Sequence, residues 1–575
     1  MQDDIDNSEL SMLPRISLGI HIGHDRGAAL VREGELVAQM SEERLDRIKH
    51  SNSPKLPYKS IRAVLKIAGT TPDRLGSIGL SYTNVVIADI IDQLSDEIRE
   101  FLNLPDVPIY GIGHHDCHAW SAYYTSDFNN ALILVADGAG DIIDNKLESE
   151  SLYVGKKNHL KLVERRLQDF GNSRIDRRNS FNLTYMSEVD RVKQISLGRK
   201  YEQFTYLIGF GHGHAGKTMA LASYADPLFK KSVEPFNGLD FSLTFDDGLV
   251  EIDKLWRKSG EPWHRFIHHN SQQIAAAGQY MLEAYALQLV KKILLRRQNK
   301  NLCAAGGLFL NCQLNQRILK DTKVSKLHVI PSAGDDGQCV GAALAAFAQE
   351  YVFPNRNSSA LPYLGKSYSD REIEKSINHF KLRAKYLKDE TLTKQLARDI
   401  AGGLVIGFLR GRSEIGPRAL CHRSILADPR RKNITKKLNL LKRRELFRPF
   451  APVVVSEAQF TYFDLAQDSP YMLLAAEVRP EYRKKLPGIT HIDSTARVQS
   501  VAKNAEPFVY GLLKAFESET GFPVLINTSF NIAGDPMVEA PHDAIVTFLN
   551  SEIDILVMEN YYIKKRKRPA VKKSE

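Results

Sequence analysis

The sequence predicts an α/β protein with two domains and a short linker between them. Its length of 575 residues is typical of two or three domains, and 43% of the residues are hydrophobic, as in ordinary globular proteins. Apolar runs of strand length end in glycine or aspartate and alternate with segments of helical period, which is the pattern of mixed α/β folds. A polar segment bounded by prolines, residues 354–362, interrupts this pattern and marks the predicted linker.

The first predicted domain, residues 1–353, begins with a meander of three strands. A tight turn at residues 23–27 separates the first two, and the predicted strands are Ile16–Ile22, Ala28–Arg32 and Glu35–Met40. A second unit of the same kind follows at Ala131–Asp137, Ser151–Val154 and Leu160–Glu164. Two such units separated by helical sequence indicate the duplicated, ribonuclease-H-like halves of an actin-like ATPase fold, whose polar tips face one nucleotide cleft.

Residues 363–563 form the second predicted domain, and residues 564–575 a basic, disordered tail. The second domain again mixes helices with strands such as Leu404–Leu409 and Pro523–Ile526, and it is long enough to fold independently. The tail carries more than half of the formal net charge of +10. Because the rest of the chain has little excess positive charge, it shows no obvious RNA-binding face, and no nucleic-acid partner is expected.

Cysteine usage and hydropathy predict a protein of the reducing cytoplasm. The five cysteines form no Cys-x-x-Cys pair, which argues against a disulfide framework and against a zinc ribbon. The sequence contains no run of about 18 or more apolar residues, so we expect no membrane span.

The segment 113–119, which reads Gly-His-His-Asp-Cys-His-Ala, is the first candidate for chemistry. On a helix, His114 and His118 would stand on one face and could present two nitrogens to one metal ion. Histidines at this spacing can also be buried residues that only hydrogen bond to backbone carbonyls. The spacing alone leaves both interpretations open.

Two aspartate loops favour the metal interpretation. Asp137 ends the apolar run 131–136, and Asp335 with Asp336 follows the apolar run 327–330 in a similar glycine-containing loop. A carboxylate at the end of a buried strand is well placed to bind an ion. Two histidines together with carboxylates from two loops would suit iron, zinc or manganese.

Further segments indicate a polyphosphate pocket. Cations alternate with glycine, proline and aromatic residues in segments 410–418 and 442–450, unlike a uniformly charged solvent face, and a solvated or RNA-contacting surface is the alternative. Arg497 and the segment 527–531 add another cation and polar donors. Gly306 and Gly307 follow another predicted strand and are expected to let backbone amides approach a phosphate or ribose. No P-loop motif is present, so any ATP is held in another way.

Motifs along nearly the whole chain resemble the NodU/CmcH carbamoyltransferase family. In the first half they are His24-Asp25-x-x-Ala28-Ala29-Leu30, Glu42-Glu43-Arg44, the His114/His118 segment, Asp137-Gly138, and Gly306-Gly307 with Asn311-Cys312. In the second half they are Gly416-Pro417-Arg418-Ala419-Leu420, Phe447-Arg448-Pro449-Phe450 and Asn527-Thr528-Ser529-Phe530-Asn531. So many matches in the same order are highly specific.

This resemblance implies a division of labour between the two domains. The C-terminal domain, YrdC-like in this family, would join ATP, bound with Mg²⁺, and carbamoyl phosphate into carbamoyl-adenylate. The N-terminal domain would transfer the carbamoyl group to a hydroxyl of a small-molecule acceptor, a natural product or a sugar, and release AMP. The acceptor's identity stays open, as does assembly into a homo-oligomer.

The resemblance also implies roles for individual residues. The metal ligands would be His114, His118, Asp137 and Asp335, with Asp336 as the substitute for Asp335. Iron(II) is the implied ion, with another divalent metal as the alternative. His24 would be the base that takes the acceptor proton. ATP and carbamoyl phosphate would be bound by Lys442, Arg448, Arg497, Asn527, Ser529 and Arg418.

Three other functions compete with this prediction. A tRNA-modifying enzyme that uses threonylcarbamoyl-adenylate shares both folds, but the basic tail is its only independent support. A hydrogenase-maturation carbamoyltransferase would carry Cys-x-x-Cys zinc modules that this sequence lacks. An actin-like assembly protein without enzymatic activity would have no use for the arginine-rich segments. We therefore predict an O-carbamoyltransferase.

Overall fold

The structure is a computed structural model that describes residues 15–83, 87–169, 196–211, 213–226, 252, 255–353 and 362–565. The described residues pack into two compact units. The first unit contains the described residues up to Gly365, together with Ile415–Pro417 and Leu473–Ala475. The second unit contains Lys366–Glu414, Arg418–Met472 and residues 476–565. Most of the predicted linker, residues 354–361, lies outside the described residues.

The first unit is built around two β-sheets. The strands of the first sheet are β1 (Ile16–Ile22), β2 (Gly27–Arg32), β3 (Glu35–Ser41), β4 (Ser77–Tyr82) and β5 (Ile109–Gly111). The strands of the second sheet are β6 (Asn130–Ala136), β7 (Ile142–Ile143), β8 (Lys146–Lys156), β9 (His159–Asp169), β10 (Asn301–Ala305) and β11 (Lys326–Val329).

The two sheets share one strand order. The first runs β3-β2-β1-β4-β5, and the second runs β9-β8-β6-β10-β11, with the short β7 paired to β8. In each sheet the meander is antiparallel and the last two strands are parallel to its first strand. This repeated order is the duplicated, ribonuclease-H-like arrangement of an actin-like fold, and it confirms the fold class predicted for the first domain.

Helices cover these sheets. They are α1 (Glu42–Asp46), α2 (Tyr58–Ala68), α3 (Ile87–Leu102), α4 (His114–Tyr124), α5 (Leu197–Leu207), α6 (Ala215–Ala222), α7 (Trp263–His269), α8 (Ser271–Arg296), α9 (Cys312–Asp321) and α10 (Gln338–Glu350). Helix α10 packs closely on the first sheet, because a Cβ atom at Gly19 or Gly79 would lie about 2 Å from its backbone. The apolar residues of β1, β4, α2 and α3 form one core beneath the first sheet.

The second unit has a mixed sheet, as predicted for an α/β domain. Its strands are β12 (Lys385–Tyr386), β13 (Ile406–Leu409), β14 (Arg423–Ala427), β15 (Ala451–Val455), β16 (Leu474–Glu477), β17 (Thr495–Val501), β18 (Val524–Ser529), β19 (Ile555–Met558) and β20 (Tyr561–Lys564). They follow the order β12-β20-β19-β13-β14-β18-β15-β17-β16.

Helices also flank this sheet. They are α11 (Asp370–His379), α12 (Asp389–Ala401), α13 (Ile434–Leu441), α14 (Gln459–Tyr462), α15 (Pro480–Arg483), α16 (Pro507–Thr520) and α17 (Pro541–Leu549). Apolar faces of α12 and α16 pack on β13, β15, β18 and β19 and enclose the core of this unit.

Two residues of the predicted disordered tail, Lys564 and Lys565, are instead part of the folded second unit. Lys564 is the last residue of β20, which pairs with β19. The Lys565 ammonium donates to the carbonyl oxygens of Phe548, at 2.7 Å, and Ser551. These contacts fix both lysines in the fold, and residues 566–575 lie outside the described residues.

Candidate metal and nucleotide sites

Four side chains of the first unit converge on one point. His114 and His118 lie one turn apart on α4, Asp137 directly follows β6, and Asp335 lies in a short 3-10 turn before α10. One ligand atom from each of the four lies within 4.8 Å of the others, and Asp336 is not part of this group. The structure therefore brings together the four residues that the sequence predicts as metal ligands.

The ligand atoms of this cluster face one another at short range. His114 Nε2 lies 3.2 Å from Asp137 Oδ2 and 3.5 Å from Asp335 Oδ1. His118 Nε2 lies 3.5 Å and 3.7 Å from the same two oxygen atoms. Both imidazoles are fully buried, and the two carboxylates are only 14% and 13% exposed. Two carboxylates that are buried so close together require a positively charged group or ion beside them.

The protonation of these groups is coupled through their charges. Burial alone would lower the pKa of His114, but Asp335 and Asp137 raise it well above the ordinary histidine value. Burial alone would raise the pKa of Asp137, but His114 and His118 hold it well below the ordinary range. The cluster therefore favours a cation at its centre, either a proton on an imidazole or a metal ion.

A metal ion satisfies this cluster better than a proton does. Among the described residues, neither ring nitrogen of the buried His118 makes a well-formed hydrogen bond, although Nε2 lies 3.5 Å from Asp137 Oδ2. A buried polar atom without a partner is costly, and a metal ligand is one that gains its partner when the ion binds. Two imidazole nitrogens and two carboxylate oxygens are donors that iron(II), zinc and manganese accept. The residues present thus fit a divalent ion.

Glycines shape the loop that carries Asp137. Gly306 has a φ of +101°, and a Cβ atom there would lie 2.1 Å from the carbonyl oxygen of Ala136. The N–H of Gly307 donates to Asp137 Oδ1 at 3.0 Å. The sequence predicts that Gly306 and Gly307 present their amides to a phosphate or ribose. Here the Gly307 amide instead orients a carboxylate of the cluster formed by His114, His118, Asp137 and Asp335, which is called the metal cluster below.

A second group of titratable side chains lies at the tip of the first meander. His24 Nδ1 lies 3.1 Å from Asp25 Oδ2, and His50 Nδ1 lies 3.0 Å from Asp25 Oδ1. The two imidazole rings stack with centroids 5.5 Å apart. The hydrogen bond to Asp25 raises the pKa of His24 to about 9, although burial opposes this shift. His24, the predicted base, is therefore mostly protonated at neutral pH in this arrangement.

In the second unit, the predicted phosphate-binding residues meet at one end of the sheet. Strands β15 and β17 are parallel, and β18 runs antiparallel to both β14 and β15. The starts of β14, β15 and β17 therefore lie beside the end of β18. Around this end lie Arg418 before β14, Arg448 before β15, Arg497 in β17, and Asn527 and Ser529 in β18.

Lys442 is anchored at the same end of the sheet. Its ammonium donates to Ser529 Oγ at 3.2 Å, to the Ser529 carbonyl oxygen, and to Asn531 Oδ1 at 2.9 Å. The residue follows α13 directly and is only 3% exposed. The structure therefore joins two predicted site residues, Lys442 and Ser529, and adds Asn531 to them.

Burial and the guanidinium groups of this region lower the pKa of two of its arginines. Burial lowers the pKa of Arg444 to about 9, and the positive charges of Arg448 and Arg497 add to the shift. Burial also lowers the pKa of Arg448, to which Arg497 again contributes. Half-buried cations that repel each other are stabilised by a bound anion, and phosphate groups match guanidinium geometry.

Asn527 is buried at this end of the sheet and hydrogen bonds to two other segments. Its side-chain amide donates to the carbonyl oxygen of Ala419 at 3.0 Å and to Gln499 Oε1 at 2.7 Å, and the residue is 1% exposed. It thus ties the segment after Arg418 to strand β17. Arg418, which precedes Ala419, is partly buried, so Asn527 fixes the backbone beside a predicted phosphate ligand.

Two further residues contact the metal cluster. Thr83 Oγ1 lies 3.4 Å from His114 Nδ1 and 3.3 Å from Asp335 Oδ2. Asp141 Oδ2 accepts the backbone N–H of His114 at 2.7 Å, at the start of α4. Asp141 lies in the aspartate loop, where its role could have been inferred. A single threonine after a strand carries no such signal in the sequence.

Family models match both halves of the chain. A model described as carbamoyltransferase N-terminus matches residues 78–344, and a model described as carbamoyltransferase C-terminus matches residues 397–565. The first match contains the four residues of the metal cluster, and the second contains the cationic residues around β18.

Similar proteins match over nearly the whole chain. An uncharacterized protein of Synechocystis is 33% identical over 95% of this chain and 96% of its own length. Nodulation protein NolNO of Sinorhizobium fredii is 32% identical over 94% of this chain and 79% of its own length. Among solved structures, full-length HypF in its phosphate- and nucleotide-bound form is 14% identical, with a TM-score of 0.38 over 59% of this chain and 56% of that chain.

Proposed function

The chain belongs to the carbamoyltransferase family, and from this premise we propose that it is an ATP-dependent O-carbamoyltransferase. In the second unit, ATP, carbamoyl phosphate and water would give carbamoyl-adenylate, phosphate and pyrophosphate. In the first unit, the carbamoyl group would pass to a hydroxyl of a natural product or sugar, and AMP would leave. The observation that carries this proposal is that each unit has a cluster suited to one of these steps.

The cationic cluster of the second unit suits the first step because ATP, with its Mg²⁺, and carbamoyl phosphate are anions. After burial, the positive charges of Arg448 and Arg497 lower the pKa of Arg444, and that of Arg497 lowers the pKa of Arg448; bound phosphate would relieve this repulsion. The same charges would stabilise pyrophosphate as it departs from the α-phosphorus. Lys442 and Ser529 lie at the same end of the sheet and would complete this YrdC-like site.

The buried cluster of the first unit suits the second step. His114, His118, Asp137 and Asp335 would hold a divalent ion, iron(II) by family resemblance. When bound, such an ion supplies a Lewis acid next to the reacting carbonyl or phosphate. The chain itself excludes water from the cluster by burial. His24, paired with Asp25, would hold and move the proton that the acceptor hydroxyl loses.

The alternative tRNA substrate has no support from the described residues. Lys564 and Lys565, counted in the predicted tail, belong to the folded second unit, where Lys564 ends a strand and the Lys565 ammonium donates to Phe548. No described helix has the length and apolar character needed to span a membrane. All five cysteines lie in the described residues, where they are buried and form no disulfide, which agrees with the reducing cytoplasm that we propose as the location.

The proposal is tested by incubating the protein with ATP, Mg²⁺, carbamoyl phosphate and a panel of hydroxylated sugars and natural products. We expect mass spectrometry to show a carbamoyl mass gain on an acceptor, with AMP and pyrophosphate formed in equal amounts. Threonine-dependent ATP consumption with modification of tRNA, and no carbamoylation of any small acceptor, would instead favour the alternative.

Arg448→Ala tests the cationic cluster within this assay. Removing one charge-assisted phosphate contact costs about 1.5–3 kcal/mol, so pyrophosphate release should fall about ten- to a hundredfold. Transfer from supplied carbamoyl-adenylate should stay largely intact. Arg398→Ala is the matched control, because Arg398 is exposed on α12 and pairs with Glu519 at 3.2 Å. Equal pyrophosphate release by both variants would refute the phosphate site.

A further inference from the structure

Thr83 links two of the residues proposed as metal ligands. It directly follows β4 and is partly buried. Its hydroxyl lies within hydrogen-bonding distance of His114 Nδ1 and of Asp335 Oδ2. His114 begins the helix after the first sheet, whereas Asp335 follows the last strand of the second sheet. One hydroxyl thus connects the two halves of the first unit at the metal cluster.

The hydrogen-bonding capacity of these groups fixes the tautomer of His114. A hydroxyl has one proton to donate, and its oxygen can accept another hydrogen bond. Because an ionised carboxylate only accepts, the Thr83 proton goes to Asp335 Oδ2, and the Thr83 oxygen accepts the Nδ1–H of His114. The lone pair of neutral His114 is then on Nε2, the atom that lies 3.2 Å from Asp137 Oδ2.

Among the described residues, Thr83 is the one side chain that hydrogen bonds to His114 Nδ1. Groups that bond to the outer nitrogen of a metal-bound histidine fix its tautomer and ring orientation, and carboxylate ligands are oriented in the same way. A valine at this position would have nearly the same shape but no hydroxyl. It would leave Nδ1 without its partner and one Asp335 oxygen without a donor.

We propose that Thr83 is a positioning residue for metal binding, which acts through His114 and Asp335 and is not itself a ligand. It holds His114 with Nε2 towards the ion and holds one oxygen of Asp335 away from it. This inference rests on the proposed function, because it takes His114, His118, Asp137 and Asp335 as a metal site.

The test is a titration of the full-length, metal-depleted protein with iron(II) under anaerobic conditions, in competition with a chelator. Loss of such a supporting hydrogen bond weakens metal binding about 10- to 100-fold, so we expect Kd to rise by that factor in Thr83→Val. Thr83→Ser keeps the hydroxyl and should bind nearly as tightly as the parent. If Thr83→Val fails to fold, Thr83→Ala is titrated in its place.

Thr125→Val is the matched control. Thr125 is buried at the end of α4, and its hydroxyl contacts the Ser121 carbonyl oxygen at 2.7 Å and His328 Nε2 at 2.9 Å instead of the cluster. This variant should leave Kd unchanged. Parental affinity in Thr83→Val, or equal weakening in Thr83→Val and Thr83→Ser, would overturn the inference. A parent protein that binds none of iron(II), zinc and manganese in the same titration would refute the metal site itself, and with it the proposed function.

Discussion

At the scale of single residues, both candidate sites bring like charges close together. In the first unit, the carboxylates of Asp137 and Asp335 face each other across two imidazoles in a buried pocket. In the second unit, the pKa of Arg444 falls to about 9 because of burial and of its cationic neighbours. One site thus brings two carboxylates together, and the other brings several guanidinium groups together. This contrast is what suits the first to a metal ion and the second to phosphate groups.

The proton on His24 predicts a pH dependence of carbamoyl transfer. Asp25 raises the pKa of His24 to about 9, and a base must lose its proton before it can accept another. With supplied carbamoyl-adenylate, we expect the transfer rate to rise with pH from neutrality to about 9 and then level off. Asp25→Asn removes the charge that raises this pKa, so the rising limb should move to lower pH.

The measurement is the transfer rate as a function of pH in the parent, in Asp25→Asn and in His50→Gln. His50 pairs with the other oxygen of Asp25, so its loss leaves the His24 contact in place and should change the limb much less. The same pH profile in the parent and in Asp25→Asn would show that His24 does not handle the transferred proton.

At the scale of elements, the approach of Gly306 to the end of β6 positions Asp137. Gly306→Ala would place a Cβ atom against the Ala136 carbonyl oxygen, at a residue whose φ is +101°. Backbone strain of this kind alone costs about 1–3 kcal/mol, and the collision adds to it. We expect a clear loss in the free energy of unfolding, measured by denaturant titration, together with weaker metal binding.

Gly209→Ala is the control that separates the cost of backbone strain from the cost of a steric clash. Gly209 also has a positive φ, +87°, but a Cβ atom there would meet no atom within 4 Å. It should therefore show only the cost of backbone strain and keep its metal affinity. If Gly306→Ala lowered the free energy of unfolding and the metal affinity no more than Gly209→Ala does, the close approach of Gly306 to Ala136 would not be needed to position Asp137.

The regular parts of these elements could be predicted because their signals are local. Strand β1 has the predicted bounds Ile16–Ile22, and β6 ends directly before Asp137. Strand β8 runs over Lys146–Lys156 instead of the predicted Ser151–Val154. Pairing with β6 and β9 on both sides extends it through polar residues, which give no hydrophobic pattern.

The same distinction applies to the candidate sites. The spacing of His114 and His118 and the strand-ending Asp137 are local patterns, so the cluster could be proposed from the sequence. Thr83 could not, because it meets Asp335 across 252 residues of sequence. The hydrogen bonds of Asn527 to Ala419 and Gln499 depend in the same way on how β14, β17 and β18 are arranged.

At the scale of the whole molecule, each of the two structural units contains one of the two candidate sites. Each unit has its own sheets and its own apolar core. The N-terminal family model covers the metal cluster, and the C-terminal model covers the cationic cluster. If each cluster serves one half-reaction, removal of one cluster should stop one step and leave the other.

The most direct test is to follow carbamoyl-adenylate and carbamoylated acceptor in one reaction of the double variant His114→Ala, His118→Ala. We predict that it forms carbamoyl-adenylate from ATP and carbamoyl phosphate but binds no iron(II) and transfers no carbamoyl group. The control, His268→Ala with His269→Ala, removes two histidines of α7 outside the cluster and should retain both steps. A cluster variant that still transfers the carbamoyl group, or one that no longer forms carbamoyl-adenylate, would contradict the division of the two half-reactions between the two units.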